Sequence, residues 1–108
     1  MLLMEEIYQQ LRQEQLVDTA EDFSENWCER SKSWYGVQKS SNSDLSIPTA
    51  ITCWRKTQVR LALAYMRRKQ FGSIVDSQIE TLTAIRNSLD DYLADVHGIG
   101  NVTLPKAG

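Results

Sequence analysis

The side chains that could catalyse a reaction or bind a metal ion are few in this chain and lie far apart. His97 is the only histidine, and 25 positions separate the two cysteines, Cys28 and Cys53. Two distant cysteines and one histidine do not form the four-ligand pattern of a zinc site. Asp90 and Asp91 are adjacent, so on a helix they point about 100° apart and cannot share an acid–base site. We therefore expect no catalytic residue, no metal, no cofactor and no enzymatic activity.

The surroundings of the cysteines and the pattern of the amino terminus indicate the compartment. Cys28 follows a tryptophan and Cys53 precedes one, which favours reduced, buried cysteines with a structural role. A disulfide or redox pair is the alternative. Residues 1–4 are followed at once by two glutamates, without the basic head and apolar stretch of a signal peptide. The longest apolar run, 61–66, is far too short to span a membrane, so we expect a cytoplasmic protein without a membrane partner.

Charge is segregated along the chain, although the formal net charge is only -2. Residues 1–28 carry a net charge of -6, residues 29–70 carry +7, and residues 71–108 carry -3. Such asymmetry is an argument about partners and not about the fold. The basic central segment indicates an acidic partner, and we expect the acidic ends to face away from the basic surface.

The spacing of apolar residues predicts an all-α protein of about five helices with a long C-terminal helix. Thr19, Ser31 and Ser46 stand where helices are expected to begin and can cap their amino termini. Pro48 suits the first turn of the fourth helix, and Gly72 ends that helix. The predicted helices span residues 3–17, 20–28, 32–39, 48–69 and 73–97.

The fourth and fifth helices each carry an apolar stripe. In the fifth helix, apolar side chains recur every seven residues, which favours either packing within the chain or a dimer interface. The predicted division is a helical domain at 1–71, this helix at 72–97 and a flexible tail at 98–108. The stripe of the fourth helix consists of Ile51, Trp54, Leu61 and Tyr65, with Val59, Ala62 and Met66 beside it. The candidate dimerisation residues are Val75, Ile79, Leu82, Leu89, Leu93 and Val96.

Residues 20–38 have the pattern of a helix-turn-helix, with two short helices joined by a turn of about three residues. With the turn at Cys28, the side chains of Trp34 and Val37 face the core. The other side of the second helix then presents cationic, amide and hydroxyl groups that suit phosphates and base edges. Arg30, in the turn, is expected to reach a backbone phosphate. The candidate DNA-binding residues are Arg30, Lys32, Ser33, Tyr35, Gln38 and Lys39.

The order of these features resembles the DNA-binding domain of Cro/C1-type repressors. The resemblance depends on Phe23 and Trp27 in the first motif helix, on segment 30–35 and on segment 46–48, which opens the following helix. The chain is also similar to small uncharacterised proteobacterial helix-turn-helix-like proteins that share the serine-rich, aromatic-ended third helix. The resemblance covers about residues 3–66. It implies a bacterial transcription regulator that binds specific DNA sequences, usually as a homodimer on a palindrome.

Two functions are therefore open for this sequence. The first is a small DNA-binding transcriptional regulator that reads DNA with the helix at 31–39. The second is a helical protein–protein interaction module, such as an adaptor or antiactivator, without DNA binding. The acidic first and last segments favour the second, because they repel DNA unless they are turned away from it.

Overall fold

The computed structural model describes residues 1–95, and these residues form helices and no strand. The all-α prediction is therefore confirmed, as is the long C-terminal helix. Beyond residue 95 lie the last two residues of the predicted fifth helix and the predicted tail at 98–108, so both are outside the described residues. The helices are α1 (Leu3–Gln13), α2 (Ala20–Asp22, continued by a π-helical turn, Phe23–Trp27), α3 (Trp34–Ser40), α4 (Ile47–Phe71) and α5 (Asp76–Asp95, preceded by a 3-10 turn, Gly72–Val75).

Local capping explains where two of the helices begin and where one ends. The Thr19 hydroxyl accepts a hydrogen bond from the backbone N–H of Asp22 at 3.1 Å, as expected for the cap of α2. Ser46 accepts one from the N–H of Thr49 at 3.3 Å and so caps α4. Gly72 has a φ of 62°, a left-handed conformation that glycine adopts without a steric penalty. These positions are the ones that the sequence pattern predicts.

The amino terminus of α1 is capped from a distant part of the chain. Both carboxylate oxygens of Asp44, in the loop between α3 and α4, accept backbone hydrogen bonds, one from Leu3 at 2.7 Å and one from Met4 at 3.0 Å. A carboxylate at this position also interacts favourably with the positive end of the helix dipole. The polar loop therefore fixes the position of α1 relative to the start of α4.

Helix α5 packs inside the chain. Leu82, Ile85 and Leu89 belong to the same hydrophobic core as residues of α1 to α4. At its two ends, the hydroxyl of Ser77 donates to Glu14 at 2.7 Å, and that of Tyr92 donates to the Leu45 carbonyl at 2.8 Å. Of the two alternatives for this helix, packing within the chain is therefore the one observed.

This packing corrects the predicted dimer interface, because the heptad side chains are already covered by α1 and α4. Ile79 is partly buried against the core, and Val96 lies outside the described residues. The candidate dimerisation residues that are buried within the chain are Val75, Leu82, Leu89 and Leu93.

The buried face of α4 differs from the predicted stripe. Leu61 is buried as expected, and Ile51 and Trp54 are partly buried, but Tyr65 is 55% exposed. Most of the buried side chains of α4 are small, and a pattern of large apolar residues does not detect them. They are Thr49, Ala50, Cys53, Thr57, Leu61 and Ala64.

Candidate interaction surface

The connection between α2 and α3 is longer than the predicted turn. The π-helical turn ends at Trp27 and α3 begins at Trp34, so six residues, 28–33, join the two helices. A helix-turn-helix typically has three or four. Ser31 does not cap α3 with its hydroxyl, since only its backbone carbonyl accepts a hydrogen bond, from Trp34 at 3.0 Å. The predicted tight turn and the predicted cap are therefore both wrong.

The buried side of α3 is also rotated from the predicted one. Tyr35, expected to face DNA, is only 6% exposed, whereas Val37, expected in the core, is 58% exposed. The Tyr35 ring lies 4.8 Å from that of Tyr8 and meets Phe23 edge-on at 5.7 Å, measured between centroids. Burial, followed by the charge of Glu5, raises the pKa of the Tyr35 phenol. Tyr35 is therefore a core residue that joins α3 to α1 and α2.

Ser24 fixes this orientation of α3. Its hydroxyl is fully buried, donates to the Ala20 carbonyl at 2.9 Å and accepts from the backbone N–H of Tyr35 at 3.1 Å. The bond holds the first turn of α3 against α2. The sequence does not indicate this role, because nothing in it distinguishes a buried serine that binds a neighbouring helix from an exposed one.

Two further predicted DNA-binding residues have partners inside the chain. The side-chain amide of Gln38 donates to the carbonyl of Asp44 at 3.1 Å and to that of Ser43 at 3.4 Å. The Lys39 ammonium lies 3.8 Å from a carboxylate oxygen of Glu5 on α1. The structure therefore uses α3 mainly to hold α1 and the following loop. The predicted residues that remain exposed are Lys39 and, in the 28–33 connection, Arg30, Lys32 and Ser33.

Helix α4 has the most one-sided charge of the long helices. Its 25 residues include six lysines and arginines and no acidic residue, whereas α5 carries five acidic residues and one basic residue, Arg86. Arg68 and Lys69 lie in the last turn, where positive charge is favourable beside the helix carbonyls. Arg68 also pairs with Asp76 at 2.6 Å. Of the cations earlier in α4, Arg55 and Arg67 are exposed, and Lys56 and Arg60 are partly buried.

Large apolar side chains of α4 are exposed as well. Val59 is 56% exposed, Leu63 is 39% exposed and Met66 is 67% exposed. Because residues four and three apart lie on one face of a helix, these three form a continuous stripe. The stripe lies beside the cations at 56, 60 and 67, and Arg55 is one turn before it. We call this surface the α4 outer face: Arg55, Lys56, Val59, Arg60, Leu63, Met66 and Arg67.

Arg60 attaches one edge of the α4 outer face to α2. Its guanidinium carbon lies 5.6 Å from the centroid of the Trp27 ring, within the range of a cation–π contact. Burial, and then the positive charge of Arg67, lower the pKa of Arg60, while Asp22 opposes the shift. Because the ordinary pKa of arginine is far above neutrality, the group stays charged. The Trp27 contact therefore holds one cation of the face in a fixed position.

Asp22 is the acidic group that borders this edge. Its carboxylate accepts hydrogen bonds from the side chain of Asn26 at 2.6 Å and from the backbone of Asp18 at 2.8 Å. These two bonds lower the pKa of Asp22, and the charges of Arg60 and Lys56 add to the effect. The carboxylate partly neutralises the cations at the α2 edge, whereas Arg55 and Arg67 have no acidic neighbour on their own helix.

The sequence contained part of the signal for this surface. The absence of acidic residues from 47–71 is visible without a structure. The exposure of Val59 and Met66 is not, because large apolar residues at helical spacing usually indicate a core face.

Two kinds of site, a metal centre and a membrane-spanning helix, are not found in the described part of the chain. Within residues 1–95, no three His, Cys, Asp or Glu side chains come close enough together to hold a metal ion. None of the helices in the same range is long and apolar enough to cross a bilayer. The α4 outer face combines exposed apolar side chains with four cations.

Comparison with known proteins places the chain in a family. No curated protein and no solved structure matches the sequence. One family model matches residues 4–95, a range that covers the five helices except Leu3, the first residue of α1. The chain belongs to DUF6626, a family of unknown function.

Proposed function

We propose that this protein is an interaction module whose α4 outer face binds a helix of a partner protein. The partner helix has an apolar stripe flanked by acidic residues. The observation that carries the proposal is the exposed stripe of Val59, Leu63 and Met66 on a helix without acidic residues. Scattered exposed apolar residues are normal, but a continuous stripe framed by charge is typical of a binding site.

The composition of the face supports a protein partner. Protein interfaces have an apolar centre and a polar rim, and they are enriched in methionine and arginine. Here Leu63 and Met66 form the centre, while Arg60 and Arg67 stand at the rim. The Trp27 contact restricts Arg60 before binding, which reduces the entropy that is lost when a partner binds.

Charge complementarity indicates that acidic residues flank the apolar stripe of the partner helix. Four cations surround the apolar stripe, and Asp22 offsets only those at the α2 edge. Glutamate or aspartate beside the partner's apolar residues would pair with them and accelerate the encounter. A helix with basic flanks would be repelled.

DNA binding is the second candidate, and the six cations of α4 favour it. Phosphates would interact with those cations directly, without a need for the apolar stripe. Tyr35 and Gln38 have partners inside the chain. Helix α3 therefore does not present to DNA the two side chains on which the prediction of base reading depended. DNA binding through α4 would therefore be electrostatic and weakly dependent on sequence.

Titration with defined ligands separates the two functions. The probes are a designed helical peptide with leucines at positions i, i+4 and i+7 flanked by glutamates, the same peptide with lysines in place of the glutamates, and a mixed-sequence DNA duplex. Fluorescence anisotropy is measured at ~50 and ~200 mM salt, a range over which DNA contacts weaken steeply. We expect binding of the acidic peptide only. Binding of the duplex without binding of either peptide would support DNA binding instead.

Paired substitutions locate the binding surface. Val59→Gln with Met66→Gln removes apolar surface but leaves every charge in place, so we expect the affinity for the acidic peptide to fall about tenfold or more. Val37→Gln is the matched control, because Val37 is equally exposed but lies on α3. Equal losses in both variants would show that the α4 outer face is not the site. If the wild-type chain forms a dimer and the double substitution converts it to a monomer, the partner on the α4 outer face is a second copy of the chain.

A further inference from the structure

The two cysteines lie in direct contact in the core. Cys28, at the end of α2, and Cys53, in α4, are 25 positions apart, yet their sulfurs are 3.2 Å from each other. Both are free and buried. A disulfide bond is about 2.0 Å long, so the sulfurs need to approach by only about 1 Å to form one.

The end of α2 explains why Cys28 faces α4. The π-helical turn Phe23–Trp27 is closed by a hydrogen bond from the Cys28 N–H to the Phe23 carbonyl at 3.1 Å, which inserts one residue into the turn. The chain then reverses at Glu29, whose φ is 57°, and Arg30 donates to the Ser24 carbonyl at 2.8 Å. This backbone arrangement holds Cys28 opposite Cys53.

We infer that Cys28 and Cys53 are a modification site that closes to an intramolecular disulfide on reaction with a small-molecule disulfide. One thiolate attacks the oxidant, forming a mixed disulfide and releasing one thiol. The second cysteine then displaces the other half of the oxidant, which also leaves as a thiol. The two cysteines lose two protons and two electrons, and the oxidant is reduced to two thiols. The product joins α2 to α4 around a loop that contains α3.

Burial determines how this reaction proceeds. The contact with Cys53 and burial both raise the pKa of the Cys28 thiol, and the thiolate is the form that attacks disulfides. The reaction therefore requires local opening of the 28–33 connection, which exposes a sulfur to solvent. We expect the rate of closure to become independent of oxidant concentration once opening is rate-limiting.

The test uses the reduced 108-residue chain incubated with glutathione disulfide under native conditions. Intact-mass measurement is expected to show a monomer that has lost the mass of two hydrogen atoms. Thermal unfolding of that product is expected about 10 °C or more above that of the reduced chain, because the cross-link constrains the unfolded state. Cys53→Ala is the control, since it can form a mixed disulfide but cannot lose two hydrogens within one chain.

Several results would overturn the inference. The first is a mixed disulfide that persists in the wild-type chain. The second is a folded chain that keeps two free thiols under an incubation that oxidises the urea-unfolded chain completely. The third is an oxidised product that unfolds at a lower temperature than the reduced chain. A closure rate that stays proportional to oxidant concentration would contradict the opening step. Cys28→Ser provides a second control in case Cys53→Ala does not fold.

Discussion

Helix α3 and the exposed side of α4 have roles opposite to those that their sequences indicate. In α3, the tyrosine and glutamine that resemble DNA-reading groups contact α1, α2 and the following loop. In α4, residues with the spacing of a core stripe, among them Tyr65 and Met66, are exposed. Residue type therefore indicates what a side chain could bind, and packing against the neighbouring helices determines whether that side chain is available.

The two tyrosines provide the strongest test of this exchange. We expect Tyr35→Ala to lower the free energy of unfolding by about 3 kcal/mol, because it removes a buried ring between three helices. Tyr65→Ala removes a ring that is 55% exposed, and we expect a change within about 0.5 kcal/mol. Urea denaturation of both variants measures the contrast. Similar losses of stability in the two variants would contradict the assignment of Tyr35 to the core and of Tyr65 to the surface.

Gln38 tests whether α3 acts within the chain or on a ligand. Gln38→Ala removes two hydrogen bonds to the loop carbonyls, so we expect a loss of about 1 kcal/mol in the free energy of unfolding. Gln9→Ala, at an exposed position of α1, is the matched control and should change stability by less than about 0.5 kcal/mol. A Gln38 variant with unchanged stability but altered DNA binding would restore the helix to its predicted role.

The smallest expected change in the free energy of unfolding is that of Asp22→Asn, at the α2 edge of the α4 outer face. Its pKa is lowered in the folded state, so its contribution to stability is present above the unfolded pKa, about 3.9, and is lost as the pH falls through the folded value. We expect Asp22→Asn to be less stable than wild type at pH 7, and the difference to shrink in acid. Unfolding curves at several pH values measure it. A difference that grows below pH 4 would contradict the assignment.

The sequence predicts the local features of the fold well, because a few neighbouring residues determine them. Thr19 and Ser46 cap α2 and α4, Gly72 ends α4, and the all-α class follows from apolar spacing. The first helix stops at Gln13, four residues before the predicted end, and Gln15 adopts a positive φ of 61°. No cap signal in the sequence marks that boundary.

The orientation of α3 and α4 could not be predicted because it depends on distant contacts. Ser24 bonds to the backbone of Tyr35, and Cys53 contacts Cys28. Thr57 is buried beside them, and its hydroxyl is satisfied there by donating to the carbonyl of residue 53 in its own helix at 2.7 Å. A pattern based on large apolar residues assigns these small side chains to no face. It therefore places α4 in the wrong rotation and misses the α4 outer face.

Mapping the peptide-binding site on the protein by NMR shows directly whether the α4 outer face is the interaction surface. The chain, labelled with nitrogen-15, is titrated with the acidic amphipathic peptide, and backbone amide shifts are followed by NMR. We expect the largest shifts at Val59, Leu63, Met66 and their neighbours on α4. Shifts concentrated in residues 30–39 would instead support recognition through α3. The absence of shifts at any peptide concentration up to solubility would contradict the proposed interaction surface.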